Sequence, residues 1–235
     1  MSLLGNQRCN LIIVTGSSQG LGKAISERLT DKGEKIIGLS RSIKNSSIES
    51  IECDVRNYLS IKRAVQKIKG KKAYIKAFIN AAGVASMNLA MTTDEATVQN
   101  LIQTNLIGTI HCCQLFAPIM IRQKHGSFIN FSTIAVALAL KGESIYAASK
   151  AGVEVYSKSF AREMSDFNVR VNCIAPGPIQ TNLLKGITEN QIEKIVSQQV
   201  IRKLFQKSDV CDLVELLLDD KARSISGQVL SVGGV

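Results

Sequence analysis

The sequence predicts a doubly wound α/β fold in one domain, a mainly parallel seven-stranded sheet with helices on both faces. Three observations carry this. Short apolar runs rich in Val and Ile alternate with segments whose apolar residues recur at three- and four-residue steps. A glycine-rich turn joins the first strand to the first helix. No Pro/Ser-rich linker, low-complexity tract or internal repeat divides the 235 residues.

The elements follow in order. Residues 11–15 form a buried parallel strand, and residues 21–31 a helix that Gly33 stops. Strands are expected at 35–39 and 48–53, with only the polar stretch 40–47 between them, too short for a full crossover helix. A helix over 57–69, a strand over 73–80 and a long helix over 95–124, kinked at Pro118, come next. Strand 127–132, helix 146–165, strand 169–175, helix 209–218 and strand 229–232 complete the chain.

Composition narrows the function classes. The formal charge is +10, but the 29 basic residues are scattered and aromatics make up only 5%, so the pattern is not that of a nucleic-acid binder. An anionic cofactor or an acidic carrier is the more economical partner. The longest apolar run, 134–140, is far short of the roughly 20 residues of a membrane span, and no signal peptide is recognisable. The six cysteines show no CxxC and no metal-ligand spacing, so no metal is expected. Their apolar neighbours suit free thiols in a reducing, cytoplasmic setting.

Ligands of such sheets lie beyond the carboxyl ends of the strands, and the unusual residues fall there. In Thr15-Gly16-Ser17-Ser18-Gln19-Gly20-Leu21-Gly22, Gly16 permits the tight turn, Gly20 lets backbone approach a pyrophosphate and Gly22 packs helix on sheet. Ser18, Gln19 and Leu21 complete this loop, and the helix N-terminus offers free N–H groups to phosphate. After the second strand comes Ser40-Arg41, with no acid to accept from a ribose 2′-hydroxyl. Arg41 can bind a 2′-phosphate and Ser40 can donate to it, so NADP(H) is favoured over NAD(H). Asp54 and Val55 follow the third strand, where Asp54 can accept from the adenine amino group. Asn80-Ala81-Ala82-Gly83 ends the fourth and lets backbone pass close to the adenosine ribose.

Tyr146 and Lys150 stand four residues apart on one helix face. An ammonium beside a phenol favours the phenolate and brings its pKa down from about 10, as a general acid–base requires. The spacing is weak alone, because chance supplies it readily in a lysine-rich chain. Ser132 ends a strand at the same edge, where its hydroxyl can hydrogen-bond a substrate carbonyl. Asn105 is a poor helix-interior residue, which points to a polar task such as holding a water in a proton relay. His111 and His125 have structural roles.

Taken in register, Thr15-Gly16-x-x-x-Gly20-x-Gly22, Asn80-Ala81-Ala82-Gly83, Asn105, Ser132, Tyr146-x-x-x-Lys150 and Pro176-Gly177 resemble the short-chain dehydrogenase/reductase family from about Cys9 onward. The resemblance implies a Rossmann-type fold and a catalytic tetrad of Asn105, Ser132, Tyr146 and Lys150. It implies that Lys150 also binds the nicotinamide ribose, with Tyr146 beside it, and that Pro176, Gly177, Ile179 and Thr181 lie against the nicotinamide. Within the family the chain is most similar to bacterial β-ketoacyl-[acyl-carrier-protein] reductases, usually tetramers that reduce a 3-oxoacyl thioester with NADPH. A homo-oligomer, tetramer or dimer, is therefore expected.

Three departures stand out. The helix between the second and third strands is nearly absent, Gln19 stands where NADPH-dependent members often have arginine, and Phe167 falls where a carrier-docking arginine is expected, although Lys124 keeps its charge. The leading expectation is thus an NADP(H)-dependent carbonyl reductase, best assigned a 3-oxoacyl thioester, on acyl carrier protein or coenzyme A. The alternatives are a reductase of steroids, sugars, quinones or other small ketones, or a non-catalytic NADP-binding regulator. Residues 182–199, amphipathic through Leu183, Leu184, Ile187, Ile192, Ile195 and Val196, are expected to form a substrate lid.

Overall fold

The computed structural model describes residues 10–43, 48–180 and 188–235. Strand β1 (Asn10–Thr15) lies mid-sheet, and successive side chains of an extended chain point to opposite faces. Leu11 and Ile13 therefore enter one core, with Phe78, Phe116 and Phe128, while Ile12 and Val14 enter the other, with Ile79, Ile129 and Val214. A strand buried on both faces needs an unbroken apolar run, which is what 11–14 supplies.

Helix α1 (Gly20–Asp31) follows, then β2 (Lys35–Ser40), β3 (Glu49–Glu52), α2 (Tyr58–Gly70) and β4 (Tyr74–Asn80). The Asn57 side chain accepts from the Ser60 backbone N–H at 3.1 Å and starts α2. The Ser60 hydroxyl in turn accepts from the Asp54 N–H, fixing the turn after β3. Strands β2 and β3 pair in parallel; of the 40–47 segment, expected to be too short for a crossover helix, residues 44–47 lie outside the described residues.

The expected 95–124 helix is a continuous run in three parts. Helix α3 (Glu95–Leu101) passes into a π-helical turn (Ile102–Ile107) and then α4 (Gly108–Gln123), which Lys124 ends in the left-handed region at φ 53°. Pro118 lies inside α4, whose α-helical run continues past it; the departure from α geometry falls instead around Asn105. This run is long and apolar enough to cross a membrane by length and composition, but half of its most apolar window is buried inside the protein. Phe116 of α4 packs 4.4 Å from Phe78 of β4.

Strand β5 (Gly126–Phe131) precedes a short helix α5 (Ala135–Leu138) and the 21-residue α6 (Ser144–Met164). Strand β6 (Val169–Pro176), α7 (Glu189–Ser197), α8 (Lys207–Leu218) and β7 (Val229–Val232) follow. A capping box between Thr188 and Gln191 starts α7. The sheet has seven strands in the order β3-β2-β1-β4-β5-β6-β7. All six pairings are parallel, so the sheet is wholly rather than mainly parallel. Strand order reverses between β1 and β4, and a crevice opens there at the carboxyl ends.

Candidate active site

A cavity of about 330 Å³ occupies that crevice, within the range of cofactor and small-molecule clefts. At one end it is lined by Gly16, Ser18, Gln19, Gly20 and Leu21 of the β1–α1 turn, by Ser40 and Arg41 after β2, and by Asp54 and Val55 after β3. Ala81, Ala82 and Gly83 form its middle, and Ser132, Tyr146, Lys150, Pro176, Gly177 and Ile179 its other end. Thr181 lies outside the described residues. Gly22, Asn80 and Asn105 do not line the cavity.

The β1–α1 turn is built around glycine for steric reasons. Gly16 has φ +68°, and a Cβ there would lie 2.9 Å from Ala82 Cα and 3.0 Å from the Ala81 carbonyl oxygen. A Cβ on Gly22 would lie 2.5 Å from the Gly16 carbonyl oxygen, so helix and turn meet backbone to backbone. Thr15 Oγ1 accepts from the Ala82 N–H at 3.0 Å and ties the two loops together. Gln19 makes no side-chain cap and the first turn of α1 carries no acid, leaving its N–H groups to an anion. Together with the exposed Arg41 at the rim, this cradle fits a dinucleotide.

Asp54 is not a free acceptor. Arg56 donates Nε to both its oxygens at 3.1 Å and Nη2 to Oδ2 at 2.7 Å, and Arg56 Nη1 reaches Asn100 at 3.3 Å. Hydrogen bonding to Arg56 holds the Asp54 carboxyl below the usual range, with Arg41 adding a smaller effect. Arg56 itself lines the cavity and was missed in the sequence, where it is one exposed arginine among many.

Asn80 turns away from the cavity. Its Nδ2 donates to Asn130 Oδ1 at 2.7 Å, and Asn130 Nδ2 donates to Ser157 Oγ at 2.8 Å, a buried polar chain between sheet and α6. Asn105 is likewise fully engaged. Its Oδ1 accepts from the Val84 N–H at 2.9 Å, and Nδ2 donates to the Val84 carbonyl at 2.9 Å and to Ser149 Oγ at 3.0 Å. The side chain expected to hold a water instead clamps the loop after β4 to α6.

Tyr146 and Lys150 lie on α6 and face the cavity as the helical spacing requires. Lys150 is buried and donates Nζ to the Phe131 carbonyl at 2.8 Å. Burial pushes its ammonium down to about 8. The Tyr146 phenol is pushed up to about 12, first by burial and then by the carboxyl of Glu143, with a hydrogen bond to Thr133 acting the other way. This reverses the lowered phenol expected from the Lys150 spacing, because burial and the Glu143 carboxyl both disfavour the phenolate. Glu143 lines the same end of the cavity, and burial raises its own carboxyl. Ser132 takes its place at the end of β5, its N–H donating to the Ile174 carbonyl at 2.7 Å. Its hydroxyl donates to Glu154 Oε1 at 2.6 Å. Neither glutamate was singled out in the sequence, where nothing distinguishes it from an exposed helix residue.

Of the expected lid, the described part is α7, whose Ile195 is buried and lines the cavity. Asn168 Nδ2 donates to the Lys124 carbonyl at 3.2 Å, which places Phe167 and Lys124 on neighbouring loops, with Phe167 packed against the core. Cys53, Cys112, Cys113, Cys173 and Cys211 are buried free thiols.

Comparison with known proteins agrees with this geometry. The chain is similar to the 3-oxoacyl-[acyl-carrier-protein] reductase of Staphylococcus aureus, with 31% identity over 94% of this chain and 96% of that protein. Among solved structures, ligand-free aldohexose dehydrogenase of Thermoplasma acidophilum superimposes with a TM-score of 0.87 at 30% identity, covering 97% of this chain and 94% of that one. ElxO with NADP bound gives a TM-score of 0.86 at 26% identity, covering 96% and 97%. A family model described as enoyl-(acyl carrier protein) reductase matches residues 16–234, and the chain belongs to the short-chain dehydrogenase/reductase family.

Proposed function

We propose that this chain is a one-domain, NADP(H)-dependent carbonyl reductase whose substrate is a 3-oxoacyl thioester, carried on acyl carrier protein or coenzyme A. The observation that carries the reading is the convergence of Tyr146, the Thr133 hydroxyl that hydrogen-bonds it and Lys150 at one end of a cavity whose other end is the α1 N-terminus with Arg41. When bound there, the nicotinamide supplies the hydride. Tyr146 gives the proton to the substrate oxygen, and a phenol pushed up to about 12 is protonated at neutral pH, which suits a general acid in reduction. Lys150 holds its ammonium between the Phe131 carbonyl and Gly83, where it can reach a nicotinamide ribose. Arg41 receives the 2′-phosphate; the Ser40 hydroxyl, expected to donate to it, instead gives its proton to the Ser42 carbonyl at 2.8 Å, and Asn105 keeps the Val84 loop in place.

A reductase of a small hydroxylated ketone is the second reading. Glu143 favours it, since a half-buried carboxyl at the substrate end of the cavity invites hydrogen-bond donors, and Phe167 offers no charge to an acidic carrier. Exposed Val155 on α6, 65% accessible, and Val200, 74% accessible, support association into a dimer or tetramer. The buried free thiols support a cytoplasmic setting.

The test is NADPH oxidation with acetoacetyl-CoA and a panel of sugars, steroids and quinones, run beside NADH and beside Tyr146→Phe. Turnover of acetoacetyl-CoA, lost in Tyr146→Phe, is the expected result. Wild type and mutant equally inert yet both binding NADPH would favour the regulator reading.

A further inference from the structure

The fold gathers basic residues on one side of the sheet and leaves them unmatched. From Val55 to Thr93 the chain carries eight basic residues and no acid, and from Ala96 to Gly142 there is again no acid. Arg56, Lys71 and Lys76 are paired, with Asp54, Glu49 and Glu34. Lys62, Arg63, Lys67 and Lys69 of α2 and Lys72 just after it are exposed, and among the described residues none has an ion-pair partner. Helix α2 turns Ile61, Ala64, Val65 and Ile68 into the core. The three- and four-residue steps from Leu59 to Lys62, Arg63 and Lys67 therefore run along its solvent face. Leu59 on that face is 63% accessible and Tyr58 beside it 42%. Helix α4 packs against α2 and brings Arg122 in its last turn and Lys124 at its end. The His125 ring lies 5.8 Å from that of Tyr74, two residues beyond Lys72, so the two basic ends adjoin.

The opposite sheet face is charged differently. There α1 packs beside α8, and Arg28 and Lys32 are matched by Asp212 and Glu215. Cations that the protein does not neutralise repel one another, and an external negative surface relieves that repulsion. Four of the five unpaired groups on the α2 side are lysines, point charges on flexible stems, which suit a diffuse negative surface better than fixed bidentate contacts. Neither cavity is lined by an α2 residue, and Tyr58 is the helix's one aromatic, so there is no groove with stacking platforms for a nucleic-acid strand.

We propose that the exposed face of α2 docks the protein on the surface of an anionic phospholipid bilayer, its basic side chains on the headgroups and Leu59 entering between them. The docking is peripheral and reversible. It does not rest on the reductase reading, and Val155 and Val200, which support self-association, lie on other parts of the chain.

Co-sedimentation of the full chain with vesicles tests it, phosphatidylcholine alone against equal parts phosphatidylcholine and phosphatidylglycerol. Binding to the mixed vesicles, absent from the neutral ones and released by salt, is the expected result. Lys62→Gln together with Lys67→Gln weakens it about fivefold per charge and about 25-fold in all, the scale of lysines at an anionic surface. Lys221→Gln together with Arg223→Gln, which removes the same charge beside α8, leaves binding nearly unchanged. Leu59→Ser lowers affinity but keeps the salt dependence, since it removes apolar contact and no charge. Differential scanning fluorimetry verifies that each variant is folded. Equal binding to both vesicle types overturns the proposal, and so does an equal loss in the two double variants, which would reduce the effect to net charge. Mixed vesicles left bare at low salt overturn it as well, whether the face then proves to take an acidic protein or a nucleic acid.

Discussion

Replacing Asn105 with alanine separates the clamp seen in the structure from the water-holding role its position first brought to mind. The side chain is fully buried and makes three hydrogen bonds, two to the Val84 backbone and one to Ser149 Oγ. At a net of about 1 kcal/mol each, their loss costs about 3 kcal/mol. Val84 is only partly buried, so water can recover some of this at its backbone groups, while the Ser149 side is sealed. For a chain of this length, 3 kcal/mol corresponds to a fall in Tm of about 6–12 °C. Differential scanning fluorimetry on Asn105→Ala, Ser149→Ala and the double variant reads both the magnitude and the coupling. The double variant is expected to be less destabilised than the two singles added together, since they share one bond. The NADPH Kd should also rise, because Gly83 and Val84 border both the cavity and Lys150. A Tm within about 3 °C of wild type, with kcat alone reduced, would refute the clamp and restore the solvent-relay reading.

Three further outcomes follow from the site. Lys150 has its ammonium pushed down to about 8, so its charge is complete below that pH and is lost as pH rises through it. The reduction rate should fall on that alkaline limb, and Lys150→Arg, whose guanidinium stays charged, should abolish the limb while lowering the overall rate. Removing the carboxylate with Glu143→Gln should bring the Tyr146 phenol down from about 12, read as ultraviolet phenolate absorbance in difference from Tyr146→Phe. Arg41→Ala should raise the KM for NADPH about 10–100-fold and leave that for NADH nearly unchanged, the expected loss of one charge-assisted contact to the 2′-phosphate. Equal losses for both cofactors would instead assign Arg41 to the shared part of the dinucleotide.

Much of the fold was legible because its cause is local. Residues 11–14 are apolar on both alternating faces, which a strand covered by helices on both sides demands and a half-exposed strand does not. The Tyr146–Lys150 pair was readable because helical geometry alone puts positions four apart on one face. Gly16 was readable because a left-handed turn leaves little choice of residue. Pro118, by contrast, drew attention to the wrong turn of the long helix. The π-helical segment around Asn105 has no signature of its own, since the clamp that accompanies it bonds Val84, 21 residues earlier, and Ser149, 44 residues later.

The order of strands and helices, the dinucleotide cradle and the Tyr146–Lys150 face thus follow from chain geometry that repeats every two or about four residues. The tertiary structure alone decided the electrostatic state and hydrogen-bonding partners of those groups. Burial raises the Tyr146 phenol and lowers the Lys150 ammonium. Arg56 occupies Asp54, and Glu154, 22 residues from Ser132, takes the serine proton. Desolvation and hydrogen bonding depend on which atoms surround a group in space, and in a doubly wound sheet those atoms come from distant strands and helices.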